Sequence, residues 1–225
     1  MTAAPAAART QDDVVARFRE HRLVPVIVID NPESGPPLAR ALVNGGLPCA
    51  EITFRTKGAR EAIERIATEC PELLVGAGTI LTVQQAIDAM NAGARFIVSP
   101  GFGPEVVDYC LDQGIPIFPG IATPTEIQAA LSRGLSVLKF FPAQPLGGIQ
   151  YLKAISAPFG AVDFMPTGGI GLMNLGEYLH FPRVVACGGS WMATPERIAA
   201  RDFAGIENDV REAVGAVKAI GAGVT

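Results

Sequence analysis

One lysine stands where a solvated residue is out of place: Lys139, in the run Val137-Leu138-Lys139-Phe140-Phe141-Pro142. A short run this rich in β-branched and aromatic residues reads as a buried strand. Strand alternation puts Val137, Lys139 and Phe141 on one side and Leu138 and Phe140 on the other. Burial disfavours an ammonium and favours the neutral amine, the form that attacks a carbonyl carbon. The chemistry this allows is Schiff-base catalysis; the bland alternative is a lysine snorkelling at a rim. A second charged strand reads Glu51-Ile52-Thr53-Phe54-Arg55. Alternation sends Glu51, Thr53 and Arg55 to one side, where the carboxylate can carry protons for the amine or form an ion pair with Arg55.

Other short motifs add parts. Gly76-Ala77-Gly78-Thr79 allows close backbone approach and brings a hydroxyl, and Ser99-Pro100-Gly101 and Phe118-Pro119-Gly120 make tight turns. Thr167-Gly168-Gly169 and Gly188-Gly189-Ser190 offer bare backbone N–H groups suited to a phosphate. The inventory also excludes. Two histidines, His21 and His180, leave little for a Ser-His-Asp triad or a histidine metal site. Cys49, Cys70, Cys110 and Cys187 form no C-x-x-C pair and are expected as reduced, buried thiols. The net charge of −4 is interspersed, which points away from nucleic acid. No apolar stretch reaches the ~18 residues of a membrane span. Residues 1–8 read as a frayed tail rather than a secretory signal, which suggests a cytoplasmic protein.

Positioning these residues falls to an alternation of strands and helices. Strands are expected at Leu23–Ile29, Cys49–Phe54, Leu73–Gly76, Phe96–Ser99, Pro116–Phe118, Val137–Phe140, Asp163–Met165 and Val184–Ala186. Helices are expected between them, among others at Pro36–Asn44, Gly58–Ala67, Val83–Ala92 and Pro104–Gln113. Thr82 reads as an N-cap, Thr123 with Glu126 as a capping box, and Gly93, Gly114 and Gly134 as helix ends. Eight strand–helix units imply a parallel sheet closed into a single (β/α)8 TIM barrel over residues 9–225. An open doubly wound sheet is the alternative, but G-x-G-x-x-G after the first strand is missing. In a TIM barrel the last two glycine loops are neighbours, and the site lies at the C-terminal ends of the strands.

In order along the chain, Pro25-Val26-Ile27, Glu51-Ile52-Thr53-Phe54-Arg55, Gly76-Ala77-Gly78-Thr79, Ser99-Pro100-Gly101, Lys139-Phe140-Phe141-Pro142-Ala143, Pro166-Thr167-Gly168-Gly169-Ile170 and Gly188-Gly189-Ser190-Trp191 resemble one family. It is that of 2-keto-3-deoxy-6-phosphogluconate (KDPG) aldolase and 4-hydroxy-2-oxoglutarate aldolase. The resemblance implies a TIM barrel, a homotrimer, no metal or cofactor, and a Schiff-base lysine at Lys139. It implies Glu51 for proton transfer, Arg55 and Thr79 for the pyruvate carboxylate, and Phe141 and Pro100 as walls of the pyruvyl group. Gly168, Gly169, Gly189 and Ser190 would receive the phosphate, with Thr167 near the substrate hydroxyls. The expected partner is a phosphorylated 2-oxo acid. Gln144 stands where the family often has glutamate. A sugar-phosphate isomerase or epimerase and a non-catalytic phosphometabolite-binding barrel are the rival readings.

Overall fold

Four helices start where a threonine can cap them. Thr10, Thr82, Thr123 and Thr194 each accept the backbone N–H three residues on, and the Thr123–Glu126 pair closes a full capping box. The computed structural model describes residues 10–222; the tail expected at residues 1–8 lies outside them. The chain runs α1 Gln11–His21, β1 Leu23–Ile27, a 3-10 turn Pro32–Ser34, α2 Gly35–Asn44, β2 Cys49–Thr53, α3 Ala59–Glu69 and β3 Leu74–Gly78. It continues with α4 Val83–Asn91, β4 Ile97–Val98, α5 Pro104–Asp112, β5 Ile117–Phe118, β6 Gly120–Ile121, α6 Pro124–Leu131 and β7 Val137–Phe140. Last come α7 Gly148–Ser156, β8 Asp163–Pro166, α8 Leu175–Leu179, β9 Cys187–Gly189, α9 Pro195–Ala199 and α10 Phe203–Ala222. The three glycines expected to end helices all take positive φ.

The strands are parallel, but they do not form a closed eight-stranded TIM barrel, and that expectation is corrected. They form a six-stranded sheet in the order β5-β4-β3-β2-β1-β9 and a separate three-stranded sheet β6-β7-β8. One seam falls at Pro119, where the chain steps from β5 in the first sheet to β6 in the second. Proline has no N–H to continue the ladder. At the other seam β8 ends on Pro166, and only the isolated bridges Phe164–Val184 and Thr167–Gly188 join β8 to the β9 region. The result is a distorted barrel with two weakly bonded seams. The last strand also lies later than expected: Val184–Ala186 are buried without a ladder, and Cys187–Gly189 pair with Leu23–Pro25 of β1.

Helix α1 precedes the first strand and covers the N-terminal end of the barrel. Gln11 exchanges two hydrogen bonds with the backbone of Ile117, at the start of β5, and Arg19 pairs with Asp163, at the start of β8. Phe18, fully buried, packs its ring 5.2 Å from Phe96 and 5.0 Å from Phe118. Among the described residues no helix is long and apolar enough to cross a membrane.

All four cysteines are free and buried, as expected for reduced thiols. Desolvation pushes the Cys49 and Cys110 thiols up to about 12 and raises Cys70 and Cys187 as well. Native protein at about pH 8 is therefore expected to react with Ellman's reagent at none of the four, and at all four in urea. A rapidly labelled thiol in the native state would contradict this. Because burial raises these values, the stability the neutral thiols contribute is full below the ordinary thiol range. It is lost as the pH rises towards about 12.

Candidate active site

Lys139 lies in the middle strand of the small sheet, in register with Gly120 on one side and Met165 on the other. Glu51 lies in the large sheet, in register with Val26 and Gly76. Both point into the barrel, so the two sheets bring them together from opposite walls. Lys139 Nζ donates to Glu51 Oε1 at 3.3 Å, with the lysine side chain 5 % and the glutamate side chain 1 % exposed. The other carboxylate oxygen, Oε2, is buried and has no protein partner among the described residues. The Phe141 ring centroid lies 5.2 Å from Nζ, close enough to favour a cation there. Thr53, next inward on β2, donates its hydroxyl to the Ile27 carbonyl at 2.9 Å and so ties β2 to β1.

The buried ion pair is therefore Glu51 with Lys139, and not Glu51 with Arg55. β2 ends at Thr53, and Arg55 stands beyond it in the following turn, exposed. Among the described residues its guanidinium makes no ion pair or hydrogen bond. It lines a cavity of about 340 Å³ together with Phe141, Thr167, Gly168, Gly169, Gly189 and Ser190. Seven of the residues to which the resemblance gives a binding role thus share one cavity. Gly168 and Gly169 have φ of +103° and +76°, values that only glycine adopts readily, and they turn the chain sharply after β8. Thr167 is nearly buried and bridges to Gly188 across the seam. The glycine pair Gly188–Gly189, expected as a loop, belongs to β9 itself.

Pro100 and Thr79 stand to the side. Pro100 lines a neighbouring cavity of about 390 Å³ with Ile80, Leu81 and Phe102. Its carbonyl lies over Gly120, the register partner of Lys139: a Cβ there would come within 2.1 Å of that oxygen. Thr79 directly follows β3 at φ +58°, an uncommon left-handed conformation for threonine. Val26, Val28, Ile170, Gly188 and Pro195 also line the 340 Å³ cavity. Inward alternation along Leu23–Ile29 could have marked the two valines; nothing in the local sequence pattern marks Pro195. Among the described residues no group of three or more histidine, cysteine, aspartate or glutamate side chains is placed to hold a metal ion.

A parallel α/β fold that sets one buried lysine against one buried glutamate, beside a glycine-lined cavity, has the parts of an enzyme that works through a lysine imine. Comparison with known proteins makes this specific. Residues 14–208 match the family KDPG and KHG aldolase, and the chain belongs to that family. It is 57% identical over 182 residues to the 2-dehydro-3-deoxy-phosphogluconate aldolase of Treponema pallidum, covering 81% of this chain and 87% of that one. It is 43% identical over 196 residues to the KHG/KDPG aldolase of Escherichia coli K12, covering 87% and 92%. Among solved structures, KDPG aldolase from Legionella pneumophila, with pyruvate captured at low pH as a covalent carbinolamine intermediate, superposes with a TM-score of 0.85. That comparison has 41% identity and covers 88% of this chain and 96% of that one.

Proposed function

We propose that the chain is a class I aldolase that cleaves 2-dehydro-3-deoxy-6-phosphogluconate to pyruvate and glyceraldehyde 3-phosphate. 4-Hydroxy-2-oxoglutarate is a second substrate. The observation that carries this reading is the Lys139–Glu51 pair, an amine and a carboxylate 3.3 Å apart in a buried site. The neutral amine of Lys139 adds to the C2 ketone, and loss of water gives a protonated imine. That cation accepts the electron pair of the C3–C4 bond as the bond breaks, leaving an enamine on Lys139 and releasing the aldehyde. Glu51 carries the protons: it protonates the departing hydroxyl of the carbinolamine and takes the proton of the C4 hydroxyl during cleavage. Its free Oε2 suits it to exchange a proton with substrate while Oε1 stays against Nζ. Protonation of the enamine at C3 and hydrolysis of the resulting imine return pyruvate and free Lys139.

Arg55, whose guanidinium pairs with no acid among the described residues and stands at the cavity wall, holds the substrate carboxylate together with Thr79. Phe141 and Pro100 wall the pyruvyl group, and Thr167 meets the substrate hydroxyls. The backbone N–H groups of Gly168, Gly169 and Gly189, with the Ser190 hydroxyl, hold the phosphate. Residues 9–225 act as one domain; a buried apolar cluster running from Val14 to Ala213 supports this. The working form is a cytoplasmic homotrimer. Leu81, 61% exposed beside the Pro100 cavity, supports an apolar surface that another copy covers.

The test is covalent. Incubation with pyruvate and borohydride, then proteolysis and mass spectrometry, is expected to find a reduced pyruvyl group on the peptide that carries Lys139. An unmodified Lys139 peptide would overturn the Schiff-base reading, and loss of activity in EDTA would argue for a metal enzyme.

A further inference from the structure

Gly78 is the last residue of β3 and stands in register with Thr53, two residues beyond Glu51 on the neighbouring strand. Its backbone is not in the left-handed region, so no turn demands a glycine here. The Glu51 side chain does. A methyl group on Gly78 would stand 2.0 Å from Glu51 Oε1 and 2.5 Å from both Cδ and Cγ. The carboxylate lies directly on the bare α-carbon of the next strand. We infer that Gly78 is a positioning residue for Glu51, the seat that holds Oε1 against the Lys139 amine and leaves Oε2 free of protein partners. The inference rests on Glu51 as the proton carrier.

Its consequence follows from which atoms collide. They belong to the end of a side chain that can rotate, not to backbone, so alanine at position 78 is accommodated by moving the carboxylate. To reach an ordinary contact of 3.4 Å, Oε1 must retreat by about 1.4 Å from its 2.0 Å approach. The Nζ–Oε1 contact is already 3.3 Å, near the limit of a hydrogen bond, so a displacement of that size changes the geometry of the pair. An ångström of misplacement at reacting groups costs about 100-fold in rate. The strand hydrogen bonds of β3 do not depend on what Gly78 carries, since Phe54 N–H donates to the Gly78 carbonyl at 2.8 Å with either residue.

The experiment is a double-mutant cycle on the purified enzyme. Glu51→Ala ends the side chain at Cβ and so removes Cγ, Cδ and Oε1, the three atoms the added methyl would meet. Gly78→Ala is expected to lower kcat about 100-fold with Glu51 intact, with KM little changed, and to lower the residual kcat less than about 3-fold in the Glu51→Ala background. Equal losses in the two backgrounds would overturn the seat while leaving Glu51 as the proton carrier. A Glu51→Gln variant that kept near-native kcat would overturn the reading of Glu51, and the seat with it. Should Gly78→Ala alone not fold, thermal melts decide. Folding regained by adding Glu51→Ala, which removes the colliding carboxylate, supports the seat, and folding still lost overturns it.

Discussion

Lys139→Met is expected to lower kcat by on the order of 10⁵-fold or more, the scale set by removing a covalent nucleophile. The same change has a second, separable effect. It leaves Glu51 as a buried carboxylate, its side chain 1 % exposed, without its counter-charge. Half-broken buried pairs cost roughly 3–5 kcal/mol, which in a chain of this size lowers Tm by about 10 °C. Adding Glu51→Gln should restore most of that Tm and none of the activity. Methionine fills much of the lysine volume, so a cavity does not account for the loss. Melting curves and single-turnover rates on the two variants separate the contributions. A Lys139→Met enzyme with appreciable turnover would leave the covalent route without its nucleophile.

Ser190→Asp tests the other end of the cavity. Of its lining residues only Arg55 is cationic, and Arg55 stands on the large-sheet side after β2. On the proposed reading, the glycine-rich end recognises an anion through N–H and O–H dipoles, without a fixed positive charge. Such a site loses heavily when a carboxylate enters. The lost hydroxyl bond to a charged group is worth roughly 1.5–3 kcal/mol, and repulsion between two anions at contact adds about 1–4 kcal/mol. KM for the phosphorylated substrate is expected to rise about 10³-fold, while kcat/KM for an analogue with a neutral distal end changes little. Parallel losses for both substrates would detach Ser190 from phosphate binding.

The strand bearing Lys139 was legible to the residue because Val137–Phe140 is apolar, short and bounded, and alternation then settled which way the lysine points. Alternation along Glu51–Arg55 served as well for Glu51, but it left two partners open, the lysine amine and Arg55. A one-dimensional pattern couples neighbours on one strand, whereas the observed pair joins two sheets 88 positions apart in the chain. The departure from a closed barrel lies in two prolines, Pro119 and Pro166, at the seams. Each sits beside a run that reads as an ordinary strand, and the missing N–H matters only once its neighbour is known. The last strand was displaced for a related reason. Val184–Ala186 has the composition of a strand, while Gly188 and Gly189 read as a turn. Yet a Cβ on Gly188 would meet Thr167 Oγ1 at 2.2 Å, and one on Gly189 would meet the Trp191 ring at 1.7 Å. Those glycines are strand residues that yield space to side chains, a role composition does not reveal.

Helix α1 and the ring cluster of Phe18, Phe96 and Phe118 shut the barrel at the end away from the substrate-facing loops. On the proposed reading, traffic then enters and leaves by one door, and the half of the substrate bonded to Lys139 lies behind the phosphorylated half. Glyceraldehyde 3-phosphate has to depart before the imine can be hydrolysed and pyruvate let go. The kinetic order expected is one substrate in and two products out in fixed sequence. Pyruvate, the last to leave, competes with substrate for the free enzyme, and the aldehyde does not.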